Sequence, residues 1–246
     1  MLAAKPWKPE SVLRLMLAVV VSMSLVSLAS SALLPLESRE TGAGRFLQLL
    51  GGTVGFHWAA LLFMALFVRE HGMDPFAAFG LNSGNAARSL GLGVLAGLVV
   101  LPLCWGLGHA SGWMMTQFQQ KPEVQFTVQT IQVIVAADQR IYAAFAALLL
   151  APVVEEMLFR GILYPAVKQF GHPRLALWGT SLFFALIHAN VMTFTPLLVL
   201  SLLLTWLYER TGNLLAPVSA HMLFNLANYL LLTFQSEIQR AVPWLR

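Results

Sequence analysis

The chain contains seven apolar runs separated by short polar segments, and this pattern constrains its fold more strongly than any other feature. A helix needs about 20 apolar residues to cross the hydrocarbon core of a bilayer. Inside lipid, only helices and closed barrels satisfy all of their backbone hydrogen bonds. We therefore predict an all-α, polytopic bundle of about seven to eight transmembrane helices. The runs lie at about 15–36, 49–68, 90–115, from 141 into 151–161, 175–189, 195–208 and 214–234.

The composition is typical of a multi-pass integral membrane protein. Of the 246 residues, 58% are hydrophobic and 11% are charged, and the mean hydropathy is +0.71, whereas soluble domains carry about 25% charged residues. Lysines and arginines in the loops explain the net charge of +4, so we expect no nucleic-acid partner. The single cysteine, Cys104, excludes an intrachain disulfide and any multi-cysteine metal site.

The chain divides into two parts of one continuous bundle. Residues 1–140 hold the first transmembrane helices and, at 116–140, an amphipathic or interfacial segment. The apolar spacing of this segment fits both a strand and a helix, and we favour a helix. Residues 141–246 hold the remaining core helices. We interpret the first run as a retained membrane helix rather than a cleaved signal peptide, because the run is long and further spans follow.

The distribution of basic residues favours an N-terminus in the cytoplasm. In that orientation nine lysines and arginines lie on the cytoplasmic side and six on the other side. An excess of basic residues in cytoplasmic loops is the usual bias of membrane proteins. In a bacterial cell we expect the protein to lie in the cytoplasmic membrane.

Two adjacent carboxylates, Glu155 and Glu156, lie in the fourth run. A buried charge is unfavourable unless a partner compensates it. On a helix, Glu156 and Arg160 are four residues apart with the acid first, which is the favourable order for an ion pair. Glu155 has no such partner on its own helix, and an unpaired carboxylate in apolar surroundings suits a general base. In the alternative, both acids lie near the headgroups and pair with Arg160 and Lys168.

Two later runs carry polar side chains that also need partners. The segment FALIH of the fifth run ends at His188, and the segment HMLFN of the seventh begins at His221 and ends at Asn225. Residues four apart share one helix face, and polar side chains inside membrane spans are functional candidates by default. Packing or hydrogen bonding better explains the other two histidines within runs, His57 and His109.

The three polar motifs together resemble the CPBP family, which is also called the CAAX prenyl protease type II or abortive-infection family. The motifs read Glu155-Glu156-x-x-x-Arg160, Phe184-x-x-x-His188 and His221-x-x-x-Asn225. They occur in the family's order over 155–225, whereas the N-terminal half is similar to the family only in its hydrophobic helices. The resemblance implies an intramembrane endopeptidase that hydrolyses a peptide bond near the cytoplasmic interface, with CAAX-type processing of prenylated proteins as one activity.

The resemblance also implies four catalytic residues and one structural ion pair. The residues that activate water are Glu155 and His188, those of the oxyanion site are His221 and Asn225, and the ion pair joins Glu156 to Arg160. We expect peptide or lipidated-protein substrates and membrane lipid as partners. Two other functions fit the same motifs, namely a non-catalytic scaffold or bacteriocin-immunity-type protein, and a small transporter.

Family members have been described both as metal-dependent and as glutamate-dependent. If a metal is present, it would be a zinc ion held by Glu155, His188 and His221, since catalytic zinc commonly has three protein ligands and a water. The chain has no HExxH motif, and asparagine is a poor zinc ligand. We therefore favour chemistry without a cofactor and keep zinc as the alternative.

Overall fold

The computed structural model describes residues 4–82, 84–234 and Arg240. Within these residues the fold contains nine α-helices and no strand, and a 3₁₀ turn at Leu36–Ser38 follows the first helix. The helices are α1 (Pro9–Leu33), α2 (Gly42–Glu70), α3 (Pro75–Ala78), α4 (Ala86–Gln117), α5 (Phe126–Val133), α6 (Ala137–Lys168), α7 (Pro173–Ile187), α8 (Val191–Thr211) and α9 (Leu215–Thr233). The predicted all-α fold is confirmed.

Each of the seven predicted runs coincides with an apolar helix. Six of these helices, namely α1, α2, α4, α6, α8 and α9, are long and apolar enough to cross a membrane. The seventh, α7, has 15 residues and rises only about 22 Å, which is less than the hydrocarbon thickness of about 30 Å. The chain is therefore a multi-pass integral membrane protein with one shortened helix in its interior.

The structure corrects two sequence-based boundaries. The fourth run does not end at the carboxylate pair, because α6 continues to Lys168; Glu155 thus lies about 20 Å along the helix from its end. In the segment 116–140, the helical spacing holds only for α5, Phe126–Val133. This short helix packs against α2 through a small apolar cluster that includes Leu49 and Ile134.

Helix α4 packs along both α8 and α9. The spacing Gly93-x-x-x-Gly97 on α4 predicts a close helix approach, because glycine adds no side chain between two backbones. The structure confirms this approach: a Cβ at Gly93 would lie 2.2 Å from the carbonyl oxygen of Ala216, and one at Gly97 would lie 3.2 Å from that of Ala220. This contact fixes the position of α9, which carries His221 and Asn225.

We expect Gly93→Ala to destabilise the bundle, whereas Gly91→Ala should not. The added methyl at position 93 overlaps the backbone of α9, so the two helices must separate. At position 91 a Cβ meets no atom within 4 Å, and alanine favours a helix over glycine by about 1 kcal/mol. Thermal unfolding of the two purified variants in detergent measures the difference. Equal midpoints would contradict the close contact of α4 with α9.

Candidate functional site

A buried ion pair lies in the middle of the bundle. Arg160 and Glu156 are 1% and 0% exposed, and Arg160 Nη1 donates to Glu156 Oε1 over 2.8 Å. The guanidinium also donates to the carbonyl oxygen and the hydroxyl of Ser201 on α8, at 3.0 and 2.6 Å. Its carbon lies 4.7 Å from the ring centroid of Phe184 on α7. The arginine therefore joins α6 to α7 and α8, and the pair expected from the spacing is present.

The same carboxylate orients a histidine on α9. His221 Nδ1 lies 2.9 Å from Glu156 Oε1, and the imidazole is almost completely buried. Because Glu156 is paired with Arg160 and accepts hydrogen bonds as a carboxylate, Nδ1 carries the proton of this contact. The other ring nitrogen, Nε2, is thereby directed away from Glu156 and lies 4.0 Å from Glu155 Oε2.

A second imidazole approaches the same oxygen from α7. His188 Nε2 also lies 4.0 Å from Glu155 Oε2. Its Nδ1 lies 2.7 Å from the carbonyl oxygen of Phe184, and because a carbonyl only accepts, Nδ1 is the protonated nitrogen. In the neutral ring Nε2 therefore presents a lone pair toward Glu155.

Glu155 itself is 8% exposed, and its Oε2 makes no hydrogen bond with the described residues. The two imidazole nitrogens are too distant for direct hydrogen bonds, which span about 2.7–3.2 Å. A buried polar atom without a partner is uncommon in proteins and calls for an unplaced water or ligand. A water molecule between Glu155 Oε2 and His188 Nε2 can donate one hydrogen to each of these two acceptors, while His221 Nε2 faces the same carboxylate oxygen.

The alternative in which both acids lie near the headgroups is wrong. Both carboxylates are buried inside the bundle, and Lys168 forms its ion pair with Glu209 at the end of α8. As the spacing indicated, Glu155 has no ion-pair partner on its own helix; its neighbours His57, His188 and His221 come from other helices. The helical spacing within α6 carried no information about those helices.

Sequence analysis missed one of these neighbours, His57 on α2. His57 Nε2 lies 3.8 Å from Glu155 Oε1, whereas His188 and His221 face the other oxygen, Oε2. A single signal could have indicated it: His57 and Glu155 are equally distant, at about 20 Å along their helices, from the ends of α2 and α6. Trp7, which contacts Phe67 of α2 and donates to the Gly161 carbonyl of α6, shows that these ends lie on the same side of the bundle.

Three π-helical segments surround the site. They comprise Thr53–Trp58 on α2, and Ala146–Leu150 and Met157–Leu163 on α6. A π-helical turn accommodates more residues than an α-helical turn and frequently occurs at functional sites. Here the three segments contain His57 and Arg160 and lie on both sides of the Glu155–Glu156 pair.

The π register explains the position of Asn225. In the segment Ala146–Leu150 the N–H of Ala151 bonds to the carbonyl of Ala146, five residues earlier. In that register Pro152, which has no N–H, leaves the carbonyl of Ala147 unpaired. Asn225 Nδ2 donates to this carbonyl over 2.8 Å. In a regular α-helix Pro152 would instead leave the carbonyl of Leu148, four residues earlier, without a partner.

A second proline, Pro217, lies four residues before His221. It belongs to the first turn of α9, where its missing N–H disrupts no helix. The Asn213 carbonyl accepts from the Thr211 hydroxyl and the Ala216 N–H. Pro217 therefore starts α9 rather than bending it.

An apolar cavity of about 740 Å³ lies where α7 ends. The chain turns from α7 into α8 at Ala189, which has a left-handed conformation with φ of 48°. The cavity is lined by Ala185 and Ala189, which flank His188, and by the last turns of α4 with Met114 and Met115. It opens at the end of the bundle opposite Trp7.

The arrangement does not form a tetrahedral zinc site. Within the described part of the chain, no three His, Cys, Asp or Glu side chains are placed to hold a metal ion. Two ligands on one tetrahedral zinc lie about 3.3 Å apart, given bonds of about 2.0–2.1 Å. The distances from Glu155 Oε2 to His188 and His221 are 4.0 Å each, so the expected zinc ligands lie around one point but too far apart.

Comparison with known proteins gives a match over the segment that carries the polar motifs. Residues 137–227 match the family model described as type II CAAX prenyl endopeptidase, Rce1-like. The resemblance that the motifs indicated is thus confirmed for α6 to α9. No solved structure matches the chain significantly.

Two curated bacterial proteins are similar in sequence to part of this chain. The uncharacterized protein YpbD of Bacillus subtilis is 38% identical over 85 residues, which are 33% of this chain and 40% of that protein. The UPF0177 protein YxdF of Lactococcus lactis is 29% identical over 79 residues, which are 32% of this chain and 43% of that protein. The match thus spans less than half the length of these relatives.

We expect Arg160→Met to lower the free energy of unfolding by about 3–5 kcal/mol, because it leaves the buried carboxylate of Glu156 without its cation. The side chains are similar in length, so packing changes little. Arg174→Met is the matched control, since Arg174 is exposed at the start of α7. Chemical unfolding in detergent measures both variants, and a loss no greater than that of the control would contradict a structural role for the pair.

Proposed function

We propose that this protein, whose residues 137–227 match the type II CAAX prenyl endopeptidase family, is an intramembrane endopeptidase. The observation that carries the proposal is the buried, unpartnered Oε2 of Glu155, with the Nε2 atoms of His188 and His221 each 4.0 Å away. A carboxylate and an imidazole that share one water are what peptide hydrolysis needs to deprotonate its nucleophile.

In the proposed reaction Glu155 accepts a proton from the water while the resulting hydroxide attacks the peptide carbonyl. The lone pair on His188 Nε2 accepts the second hydrogen of the water and orients it. When the tetrahedral intermediate collapses, the proton held by Glu155 passes to the leaving amine. Each proton taken from the water is thereby returned to a product, and Glu155 is regenerated.

The developing oxyanion needs hydrogen-bond donors, and we assign His221 and Asn225 to that role. His221 Nδ1 already donates to Glu156, so Nε2 donates to the oxyanion only when both ring nitrogens carry a proton. Asn225 uses one amide hydrogen on Ala147 and retains a second. Losing one such donor typically lowers the rate by about 10²–10³.

The cavity beside His188 supports a substrate with apolar groups next to the cleaved bond. Its volume of about 740 Å³ is in the range of ligand pockets, about 300–1,000 Å³. A lipidated protein tail or an apolar peptide segment fits this lining.

If the N-terminus is cytoplasmic, the cavity opens toward the other face of the membrane, so the orientation of the protein decides which compartment supplies the substrate. We place the protein in the cytoplasmic membrane of a bacterial cell.

A non-catalytic scaffold or immunity protein is the second candidate. The Glu156–Arg160–His221 network supports it, because that network joins helices irrespective of any reaction. A scaffold does not need the unpartnered oxygen of Glu155, however. The two candidates therefore differ in what they predict for Glu155 alone.

We expect Glu155→Gln to lower the cleavage rate by at least about 10²-fold, because an amide cannot accept the proton of the water. The assay uses purified protein in detergent with quenched fluorescent peptides, one bearing a C-terminal S-farnesyl CAAX sequence and one without the lipid. Asp138→Asn, which neutralises an exposed carboxylate at the start of the same helix, is the control.

Two outcomes would contradict the proposal. Full activity of Glu155→Gln would reject the assigned base. Loss of activity with a chelator, restored by added zinc, would reject the metal-free reaction in favour of a site that closes around zinc. If no peptide is cleaved while a cellular phenotype survives Glu155→Gln, the scaffold is the better description.

A further inference from the structure

We infer that His57, in the half of the chain outside the family match, is a positioning residue that orients the Glu155 carboxylate. The inference rests on the proposed function, because it assigns His57 a task in the same site. His57 touches neither the proposed water nor the cleaved bond. It acts through Glu155 and is therefore not a further catalytic base.

The surroundings of His57 leave it one charged partner within the described residues. Its side chain is 16% exposed, and both ring nitrogens are buried without a hydrogen bond to the described residues. Phe56 packs its ring against the imidazole, with 4.9 Å between centroids. Glu155 Oε1, at 3.8 Å from Nε2, is the carboxylate that the ring faces. A shift of less than about 1 Å brings these atoms to hydrogen-bond distance.

The backbone around His57 is held in place from the opposite side. His57 lies in the π-helical segment Thr53–Trp58, which packs against α1. A Cβ at Gly55 would lie 2.9 Å from Cβ of Val26, so the two helices approach closely at this turn. The imidazole therefore projects toward α6 from a supported position, and α1 and α2 complete a site otherwise built from α6, α7 and α9.

The two oxygens of Glu155 thereby have different surroundings. Oε1 faces His57, whereas Oε2 faces His188 and His221. The terminal torsion of a glutamate is broad and roughly two-fold, so nothing in the side chain itself selects which way the carboxylate plane turns. A donor on Oε1 selects the orientation in which Oε2 points at the water. Misplacing a reacting group by about 1 Å can lower a rate by about 10²-fold.

His57→Ala and His57→Gln test this role as a pair. We expect His57→Ala to lower kcat on the fluorescent peptide by about 10–100-fold with KM changed less than about twofold, because positioning is lost but substrate contacts are kept. His57→Gln carries an amide donor at similar reach and should retain most of the activity. His109→Ala removes a histidine that is exposed on α4 and serves as the control.

A second readout does not depend on cleavage. Difference infrared spectra of protein labelled with ¹³C-glutamate, with Glu155→Gln as the reference, isolate the carboxylate band of Glu155. That band should shift in His57→Ala and stay near its wild-type position in His57→Gln and His109→Ala. The spectra are compared among variants that unfold at the same temperature.

Each result has a definite meaning. An unchanged band in His57→Ala, or full kcat in that variant, overturns the inference. Equal losses in His57→Ala and His57→Gln together with a lowered unfolding temperature also overturn it, since they show a structural role. If the wild-type protein cleaves no peptide but the band shifts, the proposed function fails while the contact of His57 with Glu155 is supported.

Discussion

The buried pair of Glu156 with Arg160 is the interaction on which the rest of the site depends. A charged pair inside a bundle is tolerated only when its geometry and additional hydrogen bonds offset the loss of hydration. Here Arg160 donates two hydrogen bonds to Ser201 on α8 and lies over the ring of Phe184 on α7. Because Glu156 also accepts from His221 on α9, this one ion pair sets the relative positions of four helices.

Because Oε1 of Glu156 takes part in these contacts, its neighbour Glu155 is left with a separate task. Adjacent residues on a helix diverge by about 100°, so the second carboxylate faces a different side of α6. Three imidazoles lie around it at 3.8 to 4.0 Å, from α2, α7 and α9. A carboxylate in that setting has neighbours but no direct partner, which is the arrangement that a bound water completes.

Sequence reasoning identified residues whose partners lie on the same helix or whose motif is a family signature. The Glu156–Arg160 pair follows from a spacing of four, and the apolar runs follow from the length needed to cross a bilayer. It failed where the partner comes from elsewhere. His57 resembled a packing residue because it belongs to no motif, and the contact of Asn225 with the Ala147 carbonyl could not be foreseen because it depends on a π-helical turn of α6.

The sequence by itself determined that the chain is an all-α membrane protein, where its apolar helices lie, and which polar residues lie within them. Those properties follow from composition and local periodicity, which are written along the chain. The tertiary structure alone decided which oxygen of Glu155 faces which histidine, that α2 supplies His57, and that the short α7 leaves a cavity beside His188. Such contacts depend on how separate helices pack. The close approach of neighbouring helices at Gly55 and Gly93 constrains that packing.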